Sequence, residues 1–327
     1  LSPSGCRPFD ASREGLTLGE GAGFVVLQRA ESVNPRGPRP IAWLVGGDAG
    51  AEAFHITQPQ PTGETPARLM RGCLERAGLP ASAIGYVNAH GTGTTHNDAM
   101  EGAALLEVFG PCGVAVSSSK GQLGHTLGAA GAVEAVISAM TLREGRLPAT
   151  AGLETPQGDL PLDHIVGTAR SAPVTSVLSN SFGFGGMDAV IALAQDAGAS
   201  PPLPTEPAEV WVLGGSLSGP RGNVAFEEAL PWLEGDGGVL EGPVPGDPLA
   251  ALDAVRSRRF DRQMAMVVQG AAQALLHAGQ PDRAGARRRA GLVVGTSFGQ
   301  VERTAAYLRR VVERGPRFAN PADFPLL

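Results

Sequence analysis

The chain has 327 residues, a length that allows one large domain or two smaller ones. Its hydrophobic fraction of 43% supports a substantial buried core, and its many glycines and few aromatic residues suit closely packed α/β layers. A net charge of -6 gives no reason to expect nucleic-acid binding, and no apolar run is long enough to cross a bilayer, so we expect neither partner and a cytoplasmic location.

Predicted strands and helices alternate through the first 196 residues, a pattern typical of α/β folds. Hydrophobic patterning predicts strands at residues 22–28, 41–46, 84–87, 114–116, 174–179 and 189–194. It predicts helices at 65–77, 97–109 and 129–144, and the last of these is apolar nearly all round, which predicts a buried helix. The final two strands flank a glycine-rich loop and therefore predict a hairpin.

A proline-rich stretch at residues 199–207 separates this region from the rest of the chain. Proline stiffens such a segment and prevents regular pairing, so we expect a semi-extended linker between residues 1–198 and 208–327. After the linker, the sequence predicts a strand at 209–215, a helix at 263–278, a strand and glycine loop at 291–299, and a helix at 301–314.

Two histidines lie in glycine-rich segments that adjoin predicted strands. His90 lies in Asn-Ala-His-Gly-Thr-Gly-Thr (residues 88–94), and His125 ends Ser-Ser-Ser-Lys-Gly-Gln-Leu-Gly-His (117–125), which also contains Lys120. Residues at strand ends face clefts in α/β sheets. A single histidine is more often structural, but two in such loops, with an ammonium between them, could stabilise a negative oxygen on a bound carbonyl.

These two segments belong to a series of sequence motifs that follow one another along the chain. Residues 6–10 (Cys-Arg-Pro-Phe-Asp), 18–23 (Leu-Gly-Glu-Gly-Ala-Gly), 128–131 (Gly-Ala-Ala-Gly) and 180–186 (Asn-Ser-Phe-Gly-Phe-Gly-Gly) complete it. Together they resemble the later half of a β-ketoacyl-acyl-carrier-protein synthase, a ketosynthase of the thiolase superfamily. The resemblance spans residues 1–198 and implies a thiolase-like α/β fold, layered α/β/α/β/α with mixed sheets and incomplete in this chain.

The resemblance implies a decarboxylative Claisen condensation of an acyl thioester with malonyl-acyl-carrier protein, in fatty-acid or polyketide synthesis. His90 and His125 match the family's catalytic histidine pair, and Lys120 matches its active-site lysine. Phe182 matches a gating phenylalanine, and Phe184 follows it in the same substrate-binding loop. One departure is that Met-Asp stands at residues 187–188, where Thr-Asn is usual.

Other polar residues near these motifs have alternative interpretations. Thr92 and Thr94 could bond the amides of a phosphopantetheine arm or simply the local backbone. Glu134 interrupts an apolar stretch and needs a partner, for which Lys120 is the candidate. The i, i+3 spacing of Asp98 and Glu101 could suggest paired carboxylates, but we expect a solvated or capping role for them. His55 and Thr57 could line the same channel as Thr92 and Thr94, but we expect a local structural role for this pair.

The resemblance implies partners but no resident cofactor or metal, since substrates arrive on the phosphopantetheine of acyl carrier protein. It also implies a homodimer or a ketosynthase-like heterodimer. The family's nucleophilic cysteine should precede residue 6, whereas Cys6, Cys73 and Cys112 each suit a structural role. We therefore expect the chain as given to be inactive alone.

Residues 208–327 resemble the early half of a ketosynthase more weakly, through Phe260-Asp261-Arg262 and residues 291–299. A late half thus precedes an early half. We expect a window on two tandem ketosynthase domains within a longer protein; a circular permutant is the alternative. The functional alternatives are a non-catalytic partner resembling a chain-length factor, which shapes the growing acyl chain, and a thiolase-type coenzyme A enzyme.

Overall fold

The computed structural model describes residues 1–196 apart from 34, 35, 37, 38, 53 and 56, together with 216–219, 222–225, 262–277 and 301–315. The chain divides into two compact units. One comprises Leu1–Leu203 with Arg310–Leu326, and the other comprises Pro204–Arg309 with Leu327. The candidate site lies within the first unit.

The described helices are α1 Glu64–Ala77, α2 Thr95–Phe109, α3 Lys120–Leu123, α4 Ala130–Glu144, α5 Arg262–His277 and α6 Val301–Arg314. The described strands are β1 Trp43–Ala51, β2 Tyr86–Asn88, β3 Ala115–Ser117, β4 Arg146–Leu147, β5 Asp163–His164, β6 Arg170–Ser171, β7 Ser176–Phe182, β8 Met187–Ala194, β9 Ser216–Gly219 and β10 Gly222–Ala225. Short 3-10 turns lie at Ala30–Ser32, Ala81–Ala83, Leu127–Ala129 and Phe184–Gly186.

The first unit is organised around a six-stranded mixed sheet with the order β1-β8-β7-β2-β3-β5. β1, β8 and β7 are antiparallel neighbours, whereas β7, β2, β3 and β5 run parallel. The small antiparallel pairs β4-β6 and β9-β10 lie outside this sheet. The parallel strands are the ones that place the candidate site.

Each face of the sheet has its own apolar core. Alternate residues of a strand point to opposite faces. Accordingly, Val87 packs in one cluster with residues of α1 and α2, such as Leu69 and Leu105. Its neighbour Tyr86 packs in the second cluster with Leu142 of α4. The described residues therefore form helix–sheet–helix layers.

Most predicted elements of the first unit are present with shifted ends. The helices predicted at 65–77 and 97–109 begin one and two residues earlier, and the strands predicted at 84–87 and 114–116 correspond to β2 and β3. The strand predicted at 41–46 begins at Trp43 and runs on to Ala51. The predicted hairpin is also confirmed, since β7 and β8 pair antiparallel across Gly183–Gly186.

One predicted strand of this unit is absent, and one predicted helix is less deeply buried than expected. Residues 22–28 form no strand, because no described strand pairs with them, and their apolar side chains are exposed, Val26 by 98%. Helix α4 packs against the sheet, as predicted, but it is not buried on every side. Only five of its fifteen residues are buried (Ala130, Glu134, Ser138, Thr141, Leu142), and its remaining apolar side chains are half-buried.

Beyond residue 198, helices α5 and α6 agree with the helices predicted at 263–278 and 301–314. The predicted linker at 199–207, the strand at 209–215 and the segment at 291–299 lie outside the described residues. The domain boundaries therefore stay predictions.

Candidate active site

Three candidate segments leave the main sheet at the same edge. β7, β2 and β3 are parallel neighbours, and Asn88 at the end of β2 is aligned with Ser117 at the end of β3. His90 follows β2, Lys120 follows β3, and Phe182 ends β7. Because the carboxyl ends of parallel strands meet at one edge of a sheet, the topology brings these residues together.

The two histidine rings face each other in one cavity. Their centroids are 5.4 Å apart, and the rings are edge-to-face at 81°. The Phe182 ring lies 5.9 Å from His90, centroid to centroid. The cavity has a volume of about 450 Å³, and Thr92, Thr94, Phe182 and Phe184 line it together with both histidines. All of the substrate-binding candidates named from the sequence therefore lie around this cavity.

Contacts at the Nδ1 atoms indicate which ring nitrogen carries the proton. The Leu127 amide donates to Nδ1 of His125 over 3.1 Å, and Nζ of Lys120 lies 3.4 Å from Nδ1 of His90. A ring nitrogen that accepts a hydrogen bond carries no proton, so each neutral ring has its proton on Nε2. Each histidine thus keeps an Nε2–H group that is not committed to these contacts.

Both rings are held in the neutral form. Burial, and then the positive charge of Lys120, lower the pKa of His90 well below its usual range. The same two causes lower the pKa of His125 to about 4. Burial disfavours the charged form of an imidazole, and a nearby ammonium adds repulsion. At neutral pH the site therefore presents two uncharged N–H donors.

Lys120 is buried and fully engaged. Its Nζ donates to the main-chain oxygen of His90 over 2.6 Å and forms an ion pair with the carboxylate of Glu134. Glu134 projects from α4, where burial raises the pKa of its carboxyl and Lys120 opposes that shift. The structure thus brings together the lysine and the glutamate that the sequence suggested as partners.

The His90 loop is fixed by a buried carboxyl on the helix that follows it. Glu101 of α2 accepts hydrogen bonds from the amides of His90 (2.9 Å) and Gly91 (2.8 Å), and from the side-chain amide of Asn180 (3.0 Å). Burial raises the pKa of Glu101 to about 7, although these donors oppose the shift. The carboxyl therefore positions the main chain on which His90 is carried.

Asp98 fixes the next part of the same loop. Its carboxyl accepts the amides of Thr92 (2.9 Å) and Phe9 (2.7 Å), and Arg13 approaches it to 3.8 Å. Burial raises the pKa of this fully buried carboxyl. The solvated or capping role predicted for Asp98 and Glu101 is therefore wrong. Thr94 caps α2 instead, by accepting the amide of Asn97.

The His125 loop is held by main-chain contacts with an earlier segment. The His125 amide donates to the oxygen of Thr17 over 2.7 Å, and the Gly19 amide donates to the oxygen of His125 over 3.0 Å. A Cβ atom at Gly19 would lie 2.1 Å from the oxygen of Leu123, so only glycine allows this approach.

Local roles and cavity-lining roles coincide for two residue pairs. The hydroxyls of Thr92 and Thr94 are 3.0 Å apart, and both side chains line the cavity. The Thr57 amide donates to Nδ1 of His55 over 3.1 Å, as the expected local role requires, yet this pair also lines the cavity. Cavity lining was the less favoured of the two roles that the sequence allowed for His55 and Thr57.

None of the three cysteines lines the cavity. Cys6 is buried, donates from Sγ to the oxygen of Thr92 over 3.1 Å, and has its pKa raised to about 11 by burial. Cys73 is buried within α1, where burial raises its pKa to about 12. Cys112 is exposed in a turn with a φ of 50°.

Sequence reasoning missed the carboxyl groups of Glu52 and Asp188, which also line the cavity. The only signal was the unusual residue at position 188. Within the described part of the chain, no group of three His, Cys, Asp or Glu residues is arranged to hold a metal ion. No helix among the described residues has the length and apolar content that a membrane span requires.

Comparison with known proteins finds similar sequences for the part of the chain that contains the cavity. Residues 41–154 match the family model "Beta-ketoacyl synthase, C-terminal domain". The chain is 42% identical over 194 residues to 3-oxoacyl-[acyl-carrier-protein] synthase 2 of Rhizobium meliloti strain 1021. The aligned region covers 59% of this chain and 46% of that protein. It is 43% identical to nodulation protein E of Rhizobium meliloti over 60% of this chain and 49% of that protein. The chain thus spans about half the length of these curated relatives.

Solved structures give the same result. The ishigamide ketosynthase/chain length factor is 38% identical with a TM-score of 0.57, covering 59% of this chain and 48% of that one. A β-ketoacyl synthase from Burkholderia phymatum STM815 is also 38% identical, with a TM-score of 0.54, covering 59% and 46%. The mixed sheet and its helices are therefore part of a thiolase-like fold, and the matched part of the chain is similar to β-ketoacyl-acyl-carrier-protein synthases.

Proposed function

We propose that residues 1–198 supply the histidine pair and the lysine of a β-ketoacyl-acyl-carrier-protein synthase, which condenses an acyl thioester with malonyl-acyl-carrier protein in fatty-acid or polyketide synthesis. The observation that carries this proposal is the edge-to-face pair of neutral histidines, each with an Nε2–H group, in a single cavity.

The chemistry of decarboxylation explains why two neutral donors are useful. When carbon dioxide leaves a malonyl thioester, the bonding electron pair moves into an enolate and the thioester oxygen becomes negative. Hydrogen bonds from His90 and His125 to that oxygen are stronger in the transition state than in the ground state, so they raise the rate. Losing one such donor typically costs about 10²–10³ in rate.

Lys120 has a positioning and electrostatic role in this proposal. Its bond to the His90 main-chain oxygen fixes the loop, and its charge lowers the pKa of both histidines. Glu134 balances that charge, so the buried pair adds no net charge to the site. The enolate therefore meets neutral donors rather than an imidazolium that could protonate it.

Substrate delivery requires no resident cofactor in this proposal, because the malonyl group arrives on the phosphopantetheine arm of acyl carrier protein. Thr92 and Thr94 line the cavity and have hydroxyls suited to the amides of that arm. A structural neighbour that is 31% identical to this chain comes from the structure of a type II polyketide synthase acyl-carrier protein in complex with its ketosynthase. We propose acyl carrier protein and a second ketosynthase-like subunit, as homodimer or heterodimer, as partners.

The acyl-carrying thiol should come from outside the three cysteines of this chain. Two of them are buried with raised pKa values, and the third lies in an exposed turn away from the cavity. We therefore expect no condensation by these 327 residues alone. The alternative, a chain-length-factor-like partner, is less well supported for residues 1–198, because His90, His125 and Lys120 are all present and converge.

The test uses the 327-residue chain with malonyl-acyl-carrier protein, and mass spectrometry follows the formation of acetyl-acyl-carrier protein. We expect decarboxylation without β-ketoacyl product. His90→Ala and His125→Ala should each lower the rate by about 10²-fold or more, while His90→Asn, which keeps an N–H donor, should be less impaired. The control is Thr168→Ala in an exposed turn. Unchanged rates in both alanine variants, or acylation of any of the three cysteines with product formation, would overturn the proposal.

For the remainder of the chain, we propose that residues 208–327 begin a second ketosynthase-like domain behind the linker at 199–207. The presence of α5 and α6 where helices were predicted supports this arrangement. Limited proteolysis should cut first within the linker. Early cleavage inside α5 or α6 instead would contradict the proposed boundaries.

A further inference from the structure

Two carboxyl groups meet in the wall of the cavity. Glu52 follows β1 directly, and Asp188 is the second residue of β8, where it is aligned with Gly50 of the neighbouring β1. Both residues line the cavity, and each side chain is within hydrogen-bonding reach of the other.

One oxygen of Glu52 already has a donor, since Oε2 accepts the amide of Gln60 over 2.8 Å. By contrast, Oε1 of Glu52 and Oδ2 of Asp188 are sealed from solvent and have no partner among the described residues. Two ionised carboxylates can only accept hydrogen bonds. A single proton between the two side chains would give both of these oxygens a partner.

We propose that Glu52 and Asp188 share one proton, and that this carboxyl–carboxylate hydrogen bond holds the loop Gly183–Met187 against the segment that comprises Glu52 and residues 57–60, and so shapes the cavity wall. One carboxyl donates its O–H to the ionised oxygen of the other, and the pair carries a single negative charge. Both segments contribute to the wall, through Phe184 on one side and Thr57 on the other.

Main-chain contacts show why this bond acts on the loop that carries the gating phenylalanine. The amide of Glu52 donates to the oxygen of Gly186 over 2.9 Å, so the two segments are already in contact at this point. Asp188 ends the loop and is aligned with Phe182 across the hairpin. Repulsion between the two carboxyls would therefore strain the loop beside Phe182.

The surroundings favour a proton that is lost near neutral pH. Burial, then the charge of Glu52 and the charge of Glu101 raise the pKa of Asp188 to about 7. Burial likewise raises the pKa of Glu52. The other titratable side chains that line the cavity are His55, His90, His96 and His125. Loss of the shared proton changes the charge of the pair from -1 to -2, so we expect the loop to loosen as pH rises above about 7.

Asp188→Asn distinguishes a shared, titrating proton from a hydrogen bond that only holds the two side chains together. An asparagine amide can donate to Glu52 at every pH, so the variant keeps the bond and removes the titration. Asp159→Asn is the matched control, because it makes the same chemical change at an exposed site.

The experiment combines two measurements on the full 327-residue chain, without any substrate. Infrared difference spectroscopy should detect a protonated carboxyl band at about pH 6 that is lost by about pH 8, and Asp188→Asn should remove it. A second titrating band from Glu101 should remain in that variant. Hydrogen exchange of residues 183–187, corrected for intrinsic rates, should accelerate several-fold over the same range in the wild-type chain and in Asp159→Asn, but not in Asp188→Asn.

Two results would overturn the proposal. One is an infrared titration that Asp188→Asn leaves intact, and the other is loop loosening of equal size in Asp188→Asn and the wild-type chain. The shared proton explains how the wall of the proposed condensing site is held, but neither measurement depends on condensing activity. A failure here is therefore distinguishable from a failure of the proposed function.

Discussion

His90 lies in a loop whose amides are bound by two fully buried carboxyls, whereas the loop that carries His125 is held by main-chain bonds to residues 17–19. The carboxyls of Asp98 and Glu101 lie only 8 and 11 residues beyond His90, on the helix that the loop itself leads into. The contacts of His125 come instead from a segment more than 100 residues earlier.

This difference indicates how each half of the histidine pair is held in position. Charge-assisted bonds from a rigid helix fix the His90 loop locally, because a carboxyl can accept several amides at once. The His125 loop depends on close main-chain approach, which glycine at position 19 allows. Residues 22–28, which continue from that segment, have exposed apolar side chains.

The largest effect is expected at Lys120, which contacts the His90 loop and starts the segment that leads to His125. Lys120→Met removes one partner of a buried ion pair and should lower the free energy of unfolding by about 3–5 kcal/mol. Denaturant unfolding measures this loss. The double variant Lys120→Met/Glu134→Leu should recover part of it, because no charge is then left unpaired. A double variant less stable than Lys120→Met would argue against charge as the cause.

Glu101→Ala tests the carboxyl support of the His90 loop. It leaves the amides of His90 and Gly91 and the side chain of Asn180 without their acceptor, so we expect a loss of about 3 kcal/mol. Glu107→Ala is the matched control on the same helix. Its carboxylate forms a half-exposed ion pair with Arg71, and its loss should cost about 0–1 kcal/mol. Similar losses in the two variants would mean that burial of the carboxyl does not matter.

Gly19→Ala tests the close approach that holds the His125 loop. Its added methyl group would meet the oxygen of Leu123 at 2.1 Å, so we expect a loss of about 1–3 kcal/mol by thermal or denaturant unfolding. Gly128→Ala, where a Cβ has no neighbour within 4 Å, is the control and should change stability little. If Gly19→Ala is equally neutral, the loop is not constrained by this contact.

Most strands and helices of the first unit and the two histidine loops could be predicted from the sequence, although not their exact ends, because periodicity and glycine-rich segments are local signals. The roles of Asp98 and Glu101 could not, because their i, i+3 spacing does not tell whether that side of α2 faces solvent or the preceding loop. The strand predicted at 22–28 failed for a different reason. Its apolar run has strand character, but a strand also needs a pairing neighbour, which no local pattern reveals.

The smallest effect at neutral pH is expected at His164 of β5, which is buried but does not line the cavity. Its ring packs against Phe9 at 5.2 Å between centroids, both ring nitrogens lack partners among the described residues, and burial lowers its pKa to about 4. His164→Phe should therefore change stability by less than about 1.5 kcal/mol at about pH 7.

The stability of that variant should depend on pH in a way that isolates this histidine. A group with a depressed pKa contributes stability that is present above about pH 6.5 and is lost as pH falls toward its folded value, here about 4. Carboxyls such as Glu101, with a pKa raised to about 7, act in the opposite direction, since their contribution is lost as pH rises through that value. The pH dependence of the free energy of unfolding of the wild-type chain combines both effects. The difference in this free energy between the wild type and His164→Phe removes the carboxyl contribution, because the two chains share it. We expect denaturant unfolding to show this difference shifting in favour of the variant between about pH 6.5 and about 4. Parallel curves over that range would show that His164 is not held neutral by its burial.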